Sequence, residues 1–394
     1  MRASRLSDLA FLAGLIVGVI ALFAFGSIEY RARVLSTSDF SVAVWAGARA
    51  IVVGADPYDP NSWTRTVAEL GTRPSDTLVY AYPPWVALAL VPIGLLPLPI
   101  ASAAWTGTGL LIAAVALHAL LTVAVPGFPL VHFLAGLALL VSQSGLGTFT
   151  GGQWTYLLLG VSVGVYLLHE THPRLAGVLA LTVLFKPQVF VFALWSWVRA
   201  VYARTGRLTF AFIALGGMTA IVAATTVVAP RWVGSWLTNA PQIFVADPTT
   251  PTLSAAYRGI AGDLGAVAAA ATLLVVVALA LRFDPSERPW WVVWPVLSLL
   301  GATYTHSYDQ LLLLPPLIVS TGLVAERSRR GATAYAALWG FLLLPVSLVL
   351  KGVGELRGSE SYTILLTAAV FVLVIAIHRP SGRSALAGRP TAGR

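Results

Sequence analysis

The sequence predicts an all-α polytopic membrane protein, and three observations carry that prediction. The 394 residues are 57% hydrophobic and only 10% charged, with a mean hydropathy of +0.81. Apolar runs at 9–28, 210–229, 261–281 and 362–377 approach or reach the roughly 20 residues that a helix needs to cross the hydrocarbon layer. They do not alternate with polar residues as barrel strands would. The basic residues collect where span ends should fall: Arg2 and Arg5, Arg199 with Arg204 and Arg207, Arg282 with Arg288, Arg327 with Arg329 and Arg330, and the tail from 379 onward. Such clusters mark cytoplasmic loops. The formal charge of +9 is therefore topological, and no nucleic-acid partner is expected.

Composition removes further classes. There is no cysteine, hence neither a disulfide framework nor a thiolate metal site. The six histidines are scattered and never spaced HxxxH, so no zinc site is expected. The first apolar run lacks a small-residue cleavage site ahead of Glu29 and Arg31, which marks a retained anchor.

With the N-terminus inside, the first span delivers residues 29–81 to the extracytoplasmic side. Within STSDFSVAVWAGARAIVVGADPYDP, residues 36–60, Phe40, Val44, Ala48, Ile51 and Val52 recur at helical spacing, and Trp45 and Arg49 suit an interfacial helix. Spans follow at 82–98 and 101–125, split by the turn LPLPIA. Charge placement puts 230–259 outside, between spans 210–229 and 261–281. It then gives spans 289–304, 308–325, 333–350 and 362–378, ending with a cytoplasmic C-terminus. Between 125 and 199 the apolar pieces 130–143, 154–169, 175–185 and 189–198 are short. Joining 175–198 into one helix gives about twelve spans of ordinary length. Keeping the pieces as half-helices places the turns GTFTGGQ and FKPQ in a cavity, because broken helices persist at membrane depth only where protein or water covers the freed backbone. Residues 1–380 form one transmembrane domain, and the Arg-, Gly- and Pro-rich 381–394 a disordered tail.

The rare ionisable and amide side chains are the candidate chemistry. Ser38 or Asp39 fits an N-cap of the 40–53 helix, which the local pattern favours, while a carboxylate at the outer surface also fits a general base. Asp56 and Asp59, in GADPYDPNSW, have turn chemistry. In YAYPPW, residues 80–85, the paired prolines suit a first helical turn and the tyrosines, Tyr82 included, an interfacial belt. Lys186 lies in LALTVLFKPQVFVFALW, where an ionisable group is functional by default; snorkelling from a short helix end is the alternative. Gln153 and Gln188 are weaker signals, since amides also bridge helices. His306 and Asp309, in TYTHSYDQLLLLPP, fall at the outer end of two joined spans, on the side of Asp39. Arg231, Arg258, Lys351 and Arg357 fall outside against the positive-inside trend, which fits an anionic partner or pairing with Asp247, Glu355 or Glu360.

In order, SDF, GADPYD, YPP, GQ, KPQ and HSYDQLLLLP resemble glycosyltransferase family 87, membrane GT-C enzymes that include mycobacterial polyprenyl-phosphate-mannose-dependent mannosyltransferases and a related arabinofuranosyltransferase. The matching residues are Asp39 and Phe40, 54–59, Tyr82 to Pro84, Gly152 and Gln153, Lys186 to Gln188, and His306 to Asp309. The resemblance implies a GT-C fold and an inverting transfer of a sugar, mannose first, from a polyprenyl-phosphate donor to a lipid-linked or cell-envelope glycan at the outer membrane face. It makes Asp39 the base and sets Lys186 and His306 near the donor phosphate. Gln188 and Tyr82 join them as donor-binding candidates, with Gln153, Asp309 and Arg258 as further candidates. A lipid-phosphate sugar already carries an anionic leaving group, so a base and cations suffice, without the second carboxylate of glycoside hydrolysis. No cofactor or metal is called for. An arabinose donor remains an alternative, as does a lipid-linked sugar transporter, although neither an inverted repeat nor a cluster of mid-span acids is visible.

Overall fold

Apolar runs interrupted by proline give helices of unequal length. The computed structural model describes residues 2–32, 35–72, 77–244 and 249–378. The predicted disordered tail, 381–394, and Asp247 lie outside the described residues. The chain opens with α1 (Arg2–Ala32), then a π-helical turn, Ser41–Ala46, which runs into α2 (Gly47–Val52). The loop helix α3 (Pro60–Glu69) and two short pieces, α4 (Pro84–Ala89) and α5 (Val91–Gly94), precede α6 (Leu98–Ala124), α7 (Pro129–Val141), α8 (Gln143–Gly151), α9 (Thr155–Leu168) and α10 (Pro173–Ala180). Next come α11 (Val191–Thr205), α12 (Thr209–Val228), α13 (Pro230–Phe244), α14 (Leu253–Ala261), α15 (Gly265–Ala280) and α16 (Arg288–Leu300). A 3-10 turn, Ser307–Leu313, leads into α17 (Leu314–Ala325), followed by α18 (Arg329–Phe341), α19 (Ser347–Leu356) and α20 (Ile364–Ile377). No strand occurs among the described residues.

Six helices are long and apolar enough to cross a membrane, or seven if the bent pair α7 and α8 counts as one span. Shorter apolar helices add Ser41–Val52, Thr155–Leu168, Pro173–Phe185 and Ser361–Ile377. The Ser307–Ala325 span is 78% buried, against 17% to 28% for the others, which makes it the axis of the bundle. Around it, α12 and α15 turn Phe212, Val227 and Leu274 outward, each more than 70% exposed, as lipid-facing helices must. At the edge, α1 lies on α7 so closely that a Cβ on Gly14 would sit 2.3 Å from the Phe133 carbonyl oxygen, and one on Gly136 2.7 Å from that of Phe11. Small residues allow this backbone approach.

Several expectations need correcting. The span read at 82–98 is not one helix: Pro84 opens α4 as the paired prolines predicted, but Pro92 falls in the first turn of α5, and the chain turns at Leu90. The 175–198 helix is interrupted as well. Lys186 takes φ −140°, ψ 65°, outside the helical region, as a residue ahead of proline prefers. A second break falls at Ser142, where α7 and α8 diverge by 44° and the Ser142 hydroxyl accepts from the Gly145 N–H at 3.0 Å. The middle of the chain is thus broken into short helices, as the half-helix reading has it.

The helix after Asp39 is also not laid on a lipid interface. Phe40, Val44, Ala46, Ala48 and Ala50 are buried. The Trp45 indole donates to the Leu96 carbonyl at 2.9 Å and Arg49 to that of Gly94 at 3.2 Å. Both side chains satisfy carbonyls that the end of α5 leaves free.

Candidate functional site

The outer-loop acids divide by role. Asp59 caps α3, accepting from the Ser62 N–H at 2.7 Å, a contact worth about 1 kcal/mol. Asp56 closes an Asx turn, accepting from the Tyr58 N–H at 2.8 Å. These two match their turn reading. The Ser38 hydroxyl donates to the Leu35 carbonyl at 2.8 Å instead of accepting from the helix that follows, so the side-chain cap read at Ser38 is not formed. The Ser38 carbonyl accepts the Ser41 N–H at 3.1 Å, while Asp39, half-buried and already helical, directs Oδ2 to the Gln153 amide, which donates at 3.0 Å. A π-helical turn follows at once, a geometry frequent at functional sites.

The second centre is built on Asp309, which is 0% exposed. Lys186, 3% exposed, donates to its Oδ1 at 2.8 Å and its Oδ2 at 3.1 Å. Thr155 donates to Oδ1 at 3.1 Å, while Thr305 at 3.2 Å and the His306 backbone N–H at 3.1 Å serve Oδ2. The Lys186 ammonium also sits 4.6 Å from the centre of the Tyr308 ring. Lys186 thus neither snorkels nor waits for an anion: its charge is matched inside the protein by Asp309. Breaking such a pair from one side costs about 3–5 kcal/mol.

A third group borders the second. His306, half-buried, lies 2.8 Å by Nε2 from the Tyr304 hydroxyl and stacks on Tyr308, centroids 4.9 Å apart. Its Nδ1 is 3.6 Å from the Glu360 carboxylate, which pairs with Lys351 and accepts from the Ser307 N–H at 3.3 Å. Burial alone would raise the Glu360 carboxyl. Hydrogen bonds from His306 and Lys351, with their charges, outweigh burial and hold it well below the usual carboxylate range. Lys351 is thereby paired within the protein, as one of the two sequence readings had it.

Asp39 and Asp309 belong to one region: Gln153, which donates to Asp39, and Thr155, which donates to Asp309, are two residues apart, and added Cβ atoms on Gly147 and Gly151, one helical turn apart in α8, would lie 3.3 Å from Tyr308 Cβ and 3.7 Å from Asp39 Oδ2. Tyr82 is half-buried, its ring 5.5 Å from Trp154 and 5.8 Å from Tyr80. Tyr80 is buried and donates to the Ala43 carbonyl at 2.9 Å. The tyrosines of YAYPPW therefore pack under the loop rather than forming a lipid-facing belt. Gln188 sits half-buried in the turn just after Lys186. Arg258 is exposed on α14, as is Arg231 on α13, and neither is among the side chains gathered here. Sequence reasoning missed Thr155, Thr305 and Tyr304, and named Glu360 only as a possible partner of Lys351. Hydroxyl residues carry no pattern that marks a distant carboxylate as their acceptor. Among the described residues, no group of three or more His, Asp or Glu is placed to hold a metal ion.

Comparison with protein-family models, curated proteins and solved structures finds no match to this chain.

Proposed function

We propose that this chain is an inverting membrane glycosyltransferase of the GT-C kind, moving a sugar, mannose first, from a polyprenyl-phosphate donor to a lipid-linked or cell-envelope glycan at the outer face of the membrane. The observation that carries the reading is the nearness of the Asp39–Gln153 contact to the buried Lys186–Asp309 pair, since Gln153 and Thr155, two residues apart, donate to the two carboxylates. In the reaction the acceptor hydroxyl oxygen attacks the anomeric carbon and the carbon–oxygen bond to phosphate breaks. The polyprenyl phosphate leaves with the electron pair, and Asp39 takes the hydroxyl proton. A base of this type contributes about 10²–10⁴-fold. In this reading His306 faces the leaving phosphate, where donors to a charged oxygen in a dry wall are strong, and Lys186 joins it only if the phosphate competes with Asp309 for the ammonium.

The test is transfer from radiolabelled polyprenyl-phosphate-mannose and, separately, polyprenyl-phosphate-arabinose in membranes carrying wild type or Asp39→Asn. Labelled glycan with wild type only is expected, with the anomeric configuration inverted. Turnover near wild type in purified Asp39→Asn would overturn the assignment of the base, and label in the arabinose arm alone would change the donor. A second reading, a lipid-linked sugar transporter, draws on the helix breaks at Ser142 and Lys186 and the intramembrane pair, features that transporter sites share. Donor translocation into sealed vesicles that Asp39→Asn leaves intact, without any labelled glycan, would favour it.

A further inference from the structure

Gln153 is 5% exposed, donates from Nε2 to Asp39 Oδ2 at 3.0 Å, and has no partner for its buried Oε1. The reverse orientation would set the amide oxygen against a carboxylate oxygen, so the donating orientation is the one an ionised Asp39 accepts. A buried acceptor left without a partner costs stability. An apolar side chain of the same length would avoid that cost, so packing alone does not account for an amide here.

The surrounding backbone is shaped to bring this amide to Asp39. Gly152 ends α8 with φ 59°, a conformation that glycine adopts without strain. A Cβ on it would lie 2.7 Å from the Cβ of Phe40, the residue next to Asp39. The Gly152 carbonyl is held by the Trp105 indole at 3.0 Å, and the Gln153 N–H by the Thr148 carbonyl at 3.0 Å. Close contact at Gly152 and Phe40 thus fixes the two chain segments, and Gln153 and Asp39 face each other across them.

We infer that Gln153 is the positioning residue of Asp39: its amide, fixed by the close contact of Gly152 with Phe40, holds Oδ2 at 3.0 Å and so sets the direction of the carboxylate. The inference rests on the reading of Asp39 as the base, but its test does not require turnover. Infrared titration of the carboxyl band, assigned to Asp39 by its loss in Asp39→Asn, would be run on protein in lipid nanodiscs. Loss of a donor to the ionised form in Gln153→Met should move the Asp39 band midpoint to higher pH by about one unit, with thermal stability equal to or above wild type. Gln153→Glu, which sets a like charge against Asp39, should move it further. Gly152→Ala, which pushes Gln153 away without changing the amide, should reproduce the Gln153→Met shift. An unmoved midpoint in Gln153→Met, or a loss of stability without a shift, would overturn the role. Failure of the base assignment shows separately, as full transfer in Asp39→Asn, and failure of the glycosyltransferase reading as no labelled glycan from wild type.

Discussion

Removing Lys186 or Asp309 singly should be far more damaging than removing both. Their side chains are 4% and 1% exposed, so solvent cannot take over the lost partner. Lys186→Met leaves Asp309 with its donors from Thr155, Thr305 and the His306 backbone but without the counter-charge. Asp309→Leu leaves the ammonium without its counter-charge, beside the Tyr308 ring face. Each single change is expected to cost about 3–5 kcal/mol, whereas replacing both by apolar residues is often near neutral. A double-mutant cycle in Lys186→Met, Asp309→Leu and the combination, read by SDS-titrated unfolding in mixed micelles, should give a coupling close to the sum of the two single losses, about 6–10 kcal/mol if the double variant is near neutral. Singles within about 0.5 kcal/mol of wild type, the scale of an ordinary surface change, would refute the reasoning. The double variant also separates stability from chemistry. If it is stable but uses donor poorly, Lys186 serves the phosphate as well as the fold. If it is stable and transfers normally, the donor role of Lys186 fails.

Other outcomes follow from the same geometry. The Glu360 carboxyl is held below its ordinary value of 4.5, so its contribution to stability should be fully present above that pH and be lost as pH falls below it toward the depressed folded value. Protection from hydrogen exchange across 357–363, taken relative to the intrinsic rate at each pH, should therefore fall on acidification in wild type, and the acid response should shrink in Glu360→Gln. Gly14→Val should disrupt the α1–α7 crossing, since even a Cβ would meet the Phe133 carbonyl oxygen at 2.3 Å. The expected loss is about 1–3 kcal/mol, checked by unfolding, and wild-type stability would count against the close approach.

What the sequence could state was local. Asp59 ahead of proline reads as a turn residue with a structural role and has one, as the cap of α3, and Pro84 reads as the start of a helix and is one. The dipeptide Lys186–Pro187 likewise foretells a break, because the proline drives its predecessor out of the helical region. It could not foretell what covers the break. The carbonyl of Leu184 is taken by the Trp85 indole at 3.1 Å and that of Val189 by the Ser298 hydroxyl at 2.8 Å, from α4 and α16. The Lys186 ammonium is taken by Asp309, 123 residues onward. The same ignorance produced the errors at Trp45, Arg49 and Tyr80, whose polar tips have the chemistry of a membrane interface but find buried carbonyls instead. A span of this composition must satisfy every freed backbone group internally, so each break in it requires a distant partner. Lys186, which the sequence singled out as a donor-binding candidate, and Asp309, a further candidate, are also the residues that tie the break to the central Ser307–Ala325 helix. A role for Lys186 in donor binding would then require an incoming phosphate to compete with Asp309 for the ammonium, which places the strength of donor binding under the control of that carboxylate.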